Sequence, residues 1–250
     1  MGTNLCKVDQ ARDLCVDFER TSFARGEYKR AFRGVERGSE DRVVVKAYAD
    51  RWRAAQDLDV DVRMHKEAHA LAVKFNALKL PATREIVFVE PRRAHVVITR
   101  PCSGLAPGDR VTVEPELVGH YQKFLSNNGT FARGHSSLTA FAHWTFHHTK
   151  GAKMVVDLQG VKTKDGYVLT DPAIHSRDGR YGDLDLSTIG MQAFFANHKC
   201  THACRGLRRP SGGVKSGVDD CEKIMRDRLV RAKSSSRIVM PAPSGALRYQ

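Results

Sequence analysis

Two turns in this sequence place oxygen ligands directly after apolar runs. They are Asp157-Leu158-Gln159-Gly160, after Met154-Val155-Val156, and Thr170-Asp171-Pro172, after Tyr167-Val168-Leu169. A carboxylate at the end of a buried strand is costly unless a partner or a function compensates it. On neighbouring strand ends, Asp157, Gln159 and Asp171 could hold Mg²⁺ through carboxylate and amide oxygens. A carboxylate there could also orient a substrate hydroxyl. The same residues fit two turn-initiating aspartates equally well, Asp-Pro above all. Lys46 ends the β-branched run Val43-Val44-Val45, where a strand could fix its ammonium against phosphates; such a lysine can also simply snorkel to solvent. Gly26, between Phe23 and Phe32, could lay backbone N–H groups over phosphates or turn an ordinary hairpin.

A second cluster is His198-x-Cys200-x₃-Cys204. Cys200 and Cys204 are four apart and are expected on one helix face, with His198 reaching round from the helix start. Three such ligands within seven residues suit tetrahedral Zn²⁺, with a fourth drawn from His143, His147, His148 or His202. Three unrelated polar residues on a helix would show the same spacing.

The elements that must position these groups follow from periodicity. Strand-turn-strand is expected across Phe23 to Phe32 and a strand over Arg42 to Tyr48. Apolar residues from Val62 to Leu78 recur at three and four, an amphipathic helix that Pro81 ends. Strands are expected at Ile86–Val89 and Ala94–Thr99, and the turn-rich stretch Pro101 to Arg110 separates two lobes. A helix over Leu138 to Thr145 leads into a strand at Lys153 to Leu158, and Thr188 to Cys204 reads as helical. Beyond Arg208 the chain is rich in Ser, Gly, Pro and Arg, with one short helix expected over Cys221 to Lys233.

Composition narrows the class. A chain of 250 residues, 41% hydrophobic and 28% charged, can bury a substantial core. No run of eighteen apolar residues occurs, so no membrane span is expected. The first ten residues lack an apolar signal core, and the six cysteines are too dispersed for a disulfide scaffold, which points to a reducing, cytoplasmic setting. The net charge of +13 is concentrated towards the end, with eleven Lys/Arg against four Asp/Glu from Arg205 onward. A basic surface suits acidic protein partners, anionic lipid or nucleic acid. A zinc-containing nucleic-acid binder would leave Asp157 and Asp171 unexplained, and no aromatic-basic stacking motif is present, so nucleic acid is not expected.

Taken in order, the motifs resemble one family. Phe23-Ala24-Arg25-Gly26, Val45-Lys46-Ala47-Tyr48, Phe75-Asn76, Glu114 through Phe124, Asn127-Asn128-Gly129, Ala140 through Thr145, Asp157 through Val161, Leu169 through Pro172 and His198 through Cys204 are similar to the α-kinases. These are the atypical Ser/Thr protein kinases, and the likeness runs from about Phe23 to Leu207. It implies an α+β, two-lobed protein-kinase-like fold with a structural zinc in the C-terminal lobe. It also implies ATP and Mg²⁺ as cofactors and a protein substrate with a Ser or Thr acceptor, acidic if it complements the basic chain. Within this fold a pseudokinase that only binds nucleotide is the alternative; retention of Lys46, Asp157, Gln159 and Asp171 favours the enzyme.

The resemblance further implies residue roles. Asp157 is the catalytic aspartate, with Gln159 and Asp171 on Mg²⁺. Lys46 grips the α- and β-phosphates with Asp61 as its acidic partner, and Lys29, Lys123 and the Gly26 turn face the phosphates. Glu114, Glu116 and Leu117 lie in the hinge that meets adenine through backbone groups. His143 completes the zinc set with His198, Cys200 and Cys204. Asp185 stands where the family has an asparagine in a glycine-rich loop, and is expected either beside the carboxylates of the nucleotide pocket or in solvent. The expected divisions are an extension (1–20), an N-terminal lobe (21–112), a C-terminal lobe (113–208) and a basic, largely disordered tail (209–250).

Overall fold

The computed structural model of the chain describes residues 2–9, 14–211 and 218–235. Five strands come first: β1 (Asn4–Val8), β2 (Cys15–Phe18), β3 (Ala24–Arg25), β4 (Lys29–Glu36) and β5 (Arg42–Tyr48). Helix α1 (Arg51–Ala77) follows, then β6 (Glu85–Phe88), β7 (Arg92–Ile98) and β8 (Arg110–Pro115). The first sheet is antiparallel in the order β2-β1-β7-β8-β5-β4-β3, and β2 pairs with β4 as well, so six strands close into a ring. Gly34 permits that closure: a Cβ there would come within 2.9 Å of the Asp17 carbonyl. Inside the ring lie Cys6, Val16, Phe18, Phe32, Val45 and Val113.

The described residues among 1–20 are therefore part of the first lobe rather than an extension to it. Cys6, Val8, Val16 and Phe18 are core residues of the first lobe, invisible as such because each strand is only four or five residues long. On β5, Val43, Val45 and Ala47 face the ring interior, while Tyr48 packs on the other side against Ala54, Leu58 and Val62 of α1. Those contacts explain why α1 begins at Arg51 rather than Val62.

The second lobe holds β9 (Tyr121–Leu125), α2 (Ser136–His148), β10 (Lys153–Val156), β11 (Leu158–Lys162), β12 (Gly166–Thr170) and β13 (Ala173–Ser176). One sheet runs β6-β12-β11-β9 and a second pairs β10 with β13. β6 lies parallel to β12, so Glu85–Phe88 belongs to the second lobe although it precedes residue 112. Conversely, β8 carries the first sheet on to Pro115. Phe75, Phe88, Phe124, Phe141, Phe194 and Phe195 fill the second core, with Phe75 and Phe141 edge-to-face at 5.4 Å.

Helix α3 (Ser187–Asn197) is shorter than expected, because His198 is extended at φ −73°, ψ 119°. Cys204 ends a short 3₁₀ turn, His202–Cys204, so the cysteines do not share a helix face. Helix α4 (Val218–Ser235) contains the short helix expected over Cys221 to Lys233 and is longer than it, so less of the tail is left to disorder than expected. Its Cys221, Ile224 and Met225 pack on Leu186 and Ala193. The disorder expected for 212–217 and 236–250 falls outside the described residues.

Candidate active site

The two carboxylates expected to act together sit where the chain passes between sheets. Asp157 links β10 to β11, and Asp171 links β12 to β13. Both adopt left-handed backbone, at φ 54° and 46°, a conformation that stores strain in a non-glycine residue and that Asp tolerates better than most. Gln159 bridges them: its Nε2 donates to Asp157 Oδ2 at 3.3 Å and to the Asp171 carbonyl at 3.2 Å, which leaves Oε1 free. Asp157 is only 7% exposed and pairs with Lys123 Nζ at 2.8 Å. Burial pushes its carboxyl above the usual range, with Lys123 opposing and Asp171 and Glu27 adding to the rise. Glu27 belongs to the turn after Gly26, whose N–H donates to the Lys29 carbonyl at 2.8 Å, so that hairpin stands close to Asp157. A Cβ on Gly26 would meet nothing closer than the Lys29 carbonyl at 3.7 Å, which leaves open space over the turn.

Lys46 is buried, and its ammonium meets Glu114, Asp171 and, at 3.0 Å, Thr170 Oγ1. The Thr170 hydroxyl in turn donates to Glu114 at 2.8 Å. Lys29 meets Asp61 and reaches Asp171 at 3.5 Å. The Asp171 N–H donates to His65 Nε2 at 3.0 Å, and His65 Nδ1 donates to the Asp61 carbonyl at 2.9 Å. That bonding requires a neutral imidazole, and burial lowers the His65 pKa accordingly. Burial opposes ionisation of Asp171, but Lys46, Lys29 and the His65 side outweigh it and hold the carboxyl well below the usual range.

Asp61 is therefore the partner of Lys29 and Tyr48, not of Lys46. Glu114 is the acid on Lys46, a side-chain position separate from its expected place in the hinge. The signal was in the register: Lys46 lies opposite Thr112 and Val44 opposite Glu114, so alternation puts all four on one sheet face. Glu116 is held by Arg42 at 2.6 Å and Arg33 at 3.6 Å, and the half-buried Leu117 follows the end of β8. His65 and Thr170 are the other members that motif reading missed.

Asp185 lies in neither expected place. It is 1% exposed, and its Oδ1 accepts from the N–H groups of Ser176 (2.8 Å) and Ser187 (2.9 Å). Its Oδ2 accepts from the Ser176 hydroxyl and from Tyr181 N–H at 3.3 Å. The carboxylate is spent on its own loop.

The second cluster does assemble. Ligand atoms of His143, His198, Cys200 and Cys204 all lie within 4.8 Å of one another, a set able to hold a metal ion. His143 Nε2 donates to the Arg208 carbonyl at 3.0 Å, which leaves Nδ1 as a lone pair aimed inward. Burial pushes His198 down to about 4, so it too is neutral and able to ligate. Of the other histidines weighed, His147 accepts from Arg208 N–H at 2.9 Å and His148 stacks on Trp144 at 4.5 Å, while His202 is exposed.

The Alpha-kinase family model matches residues 24–204, nearly three quarters of the chain. The chain belongs to the α-kinase family. It is 46% identical over 104 residues to alpha-protein kinase vwkA of Dictyostelium discoideum, a match covering 40% of this chain and 17% of that protein. The α-kinase of Entamoeba histolytica superposes with a TM-score of 0.70 at 27% identity, covering 85% of this chain and 93% of that one. The α-kinase domain of myosin-II heavy chain kinase A in complex with AMP-PNP gives 0.67 at 26% identity, covering 86% and 98%. The chain thus spans a small part of such a full-length relative but nearly all of the solved α-kinase domains. Among the described residues no helix is long and apolar enough to cross a membrane.

Proposed function

We propose that this α-kinase domain transfers the γ-phosphoryl group of ATP to Ser or Thr hydroxyls of a protein substrate. The observation that carries this reading is the bridge of Gln159 between Asp157 and Asp171, ringed by Lys29, Lys46 and Lys123. Phosphoryl transfer asks of a protein mainly positioning and charge neutralisation. Lys46 and Lys29 exchange their carboxylate partners for nucleotide phosphates, with Lys123 beside them and the open Gly26 turn above. The backbone from Glu114 through Glu116 to Leu117 meets the adenine. Asp157, raised by burial towards the range of a base, accepts the hydroxyl proton as the hydroxyl oxygen attacks the γ-phosphorus, the bond from that phosphorus to the β,γ-bridging oxygen breaks and ADP leaves.

The oxygen-only donors Gln159 and Asp171 fit a hard cation, and Mg²⁺ held there would neutralise phosphate charge. The His/Cys cluster suits zinc in its donor set, and three of its six edges match a zinc tetrahedron. A tetrahedron with Zn–N of about 2.05 Å and Zn–S of about 2.3 Å has N–N edges of about 3.3 Å, N–S of about 3.6 Å and S–S of about 3.8 Å. The protein offers 3.2 Å between His143 Nδ1 and His198 Nε2, with 3.5 Å and 3.8 Å for two N–S edges. Such a zinc would tie α2 to the segment after α3 as a structural centre. The six free thiols, two of them in this cluster, suit a reducing cytoplasm. The basic chain favours acidic protein partners over nucleic acid.

Incubation with γ-labelled ATP and generic protein substrates, one acidic and one basic, followed by phosphoamino-acid analysis, tests the reading. Labelled Ser or Thr is expected, and Asp157→Ala should lose at least about a hundredfold in kcat. Equal labelling by that variant would overturn the assignment. Nucleotide binding without transfer would leave a pseudokinase.

A further inference from the structure

The loop between β13 and α3 carries the residue at which this chain departs from its family pattern. Asp185 gathers four donors on two oxygens, and none of its side-chain partners is an acceptor by necessity. An asparagine would turn an NH₂ towards the Tyr181 or Ser187 N–H, so the aspartate fits this loop in a way its family counterpart would not. Its backbone is fixed from outside as well: Arg228 of α4 donates to the carbonyls of Asp183 and, at 3.1 Å, Asp185. Cys221, 0% exposed, and its neighbours Ile224 and Met225 seat the same helix against Leu186 and Ala193.

The far side of this loop faces the candidate site. Tyr181, Gly182, Asp183 and Leu184 share the lining of a small cavity with Lys29 and Asp61. Tyr181 also bonds Glu67, and the Arg180 carbonyl accepts from Arg63 at 3.4 Å; both partners are on α1, the helix that carries Asp61 and His65. Contact is thus continuous from α4 through the loop to the α1 face that holds Lys29 and the Asp171 amide.

We infer that α4 is a working part of the catalytic unit: Arg228 and Asp185 are positioning residues that set the loop beneath the phosphate-facing lysines. Neither touches nucleotide. The inference rests on the proposed kinase reading, and α4 is then an internal strap rather than a free tail.

The test uses the full chain and its Arg228→Ala, Arg228→Lys and Asp185→Asn variants, with steady-state kinetics in ATP and amide hydrogen exchange. Arg228→Ala should raise KM for ATP about tenfold, the size of one lost charge-assisted hydrogen bond, with kcat changed far less. Arg228→Lys, which keeps the charge on a differently shaped head, should fall between. Amides of Tyr181 and Ser187 should exchange faster in Arg228→Ala and Asp185→Asn, while protection in β5 and β12 is unchanged. Wild-type KM together with unchanged loop protection in Arg228→Ala overturns the inference. So does a loss of kcat that merely follows a fall in Tm with KM constant, since that is loss of folded protein. An inactive wild-type chain defeats the kinase reading instead, and loop exchange with ATP affinity by calorimetry then still decide the strap.

Discussion

Replacing Lys46 by Met removes an ammonium whose three partners are Glu114, Asp171 and Thr170. Asp171 keeps Lys29, but Glu114, 3% exposed, is left among the described residues with the Thr170 hydroxyl as its partner. Breaking a buried pair from one side costs about 3–5 kcal/mol, because the surviving charge is stranded. In a chain of this size that amounts to a fall in Tm of about 6–20 °C. Adding Glu114→Gln neutralises the stranded group, so the double variant should recover to within about 1–2 kcal/mol of wild type. Urea denaturation followed by tryptophan fluorescence reads all four corners of the cycle. A double variant less stable than Lys46→Met alone would refute the pairing. So would a single Lys46→Met cost below about 1 kcal/mol, the range of a surface ion pair. Activity lost in Lys46→Met then has two sources, absent phosphate contact and a weakened fold, and the double variant separates them.

Three further outcomes are expected. One equivalent of zinc should co-purify, chelation should lower Tm, and Cys204→Ser, at a buried ligand, should fold poorly; elemental analysis finding a metal-free, stable protein would exclude a structural metal. His175 donates from Nε2 to the Asn127 carbonyl at 2.7 Å and accepts Leu186 N–H on Nδ1, and burial brings its pKa down to about 4. Its folded-state pKa lies below the unfolded value of about 6.5, so its contribution is complete above that pH and is lost as pH falls towards 4, a swing of about 3 kcal/mol; His175→Gln should flatten that slope in denaturation curves at pH 7.5 and 4.5. Finally, a Cβ on Gly190 would lie 2.3 Å from His175 Nε2, so Gly190→Ala should cost about 1–3 kcal/mol by the same assay, whereas no loss would mean the ring can move aside.

Local pattern made much of this legible. β5 and the apolar stripe of α1 declare themselves by period, and the order of motifs placed Asp157, Gln159, Asp171 and the four metal-binding candidates before any contact was seen. What pattern missed depends on pairing across the chain. Glu114 reads as hinge until β8 is laid beside β5, and Asp61 goes to Lys29 because Lys29 lies opposite Tyr48, the residue that bonds Asp61, a register no spacing rule encodes. The first twenty residues looked peripheral since β1 and β2 gain their core role only when β2 reaches β4. The tail looked disordered because α4 brings few apolar residues, and the surface that receives them, Leu186 and Ala193, lies on another element. Asp185 was misplaced because its motif position pointed to the nucleotide pocket or to solvent, and here it is satisfied by backbone N–H groups and a hydroxyl of its own loop.

The left-handed backbone at Asp157 and Asp171 sets folding and chemistry against each other at the same two positions. A glycine at either would relax about 1 kcal/mol or more of backbone strain, while an alanine would keep the strain and lose the carboxylate. At Asp171 that gain is outweighed, because its carboxylate holds the buried Lys46 and the half-buried Lys29. At Asp157, whose buried carboxyl has only the half-exposed Lys123 as its ion partner among the described residues, drift towards glycine is the downhill route for a copy of this domain released from catalytic duty. A descendant carrying Gly at the Asp157 turn would be expected to outlast its parent in heat while transferring nothing, so durability in such a lineage would be a mark of retirement from chemistry.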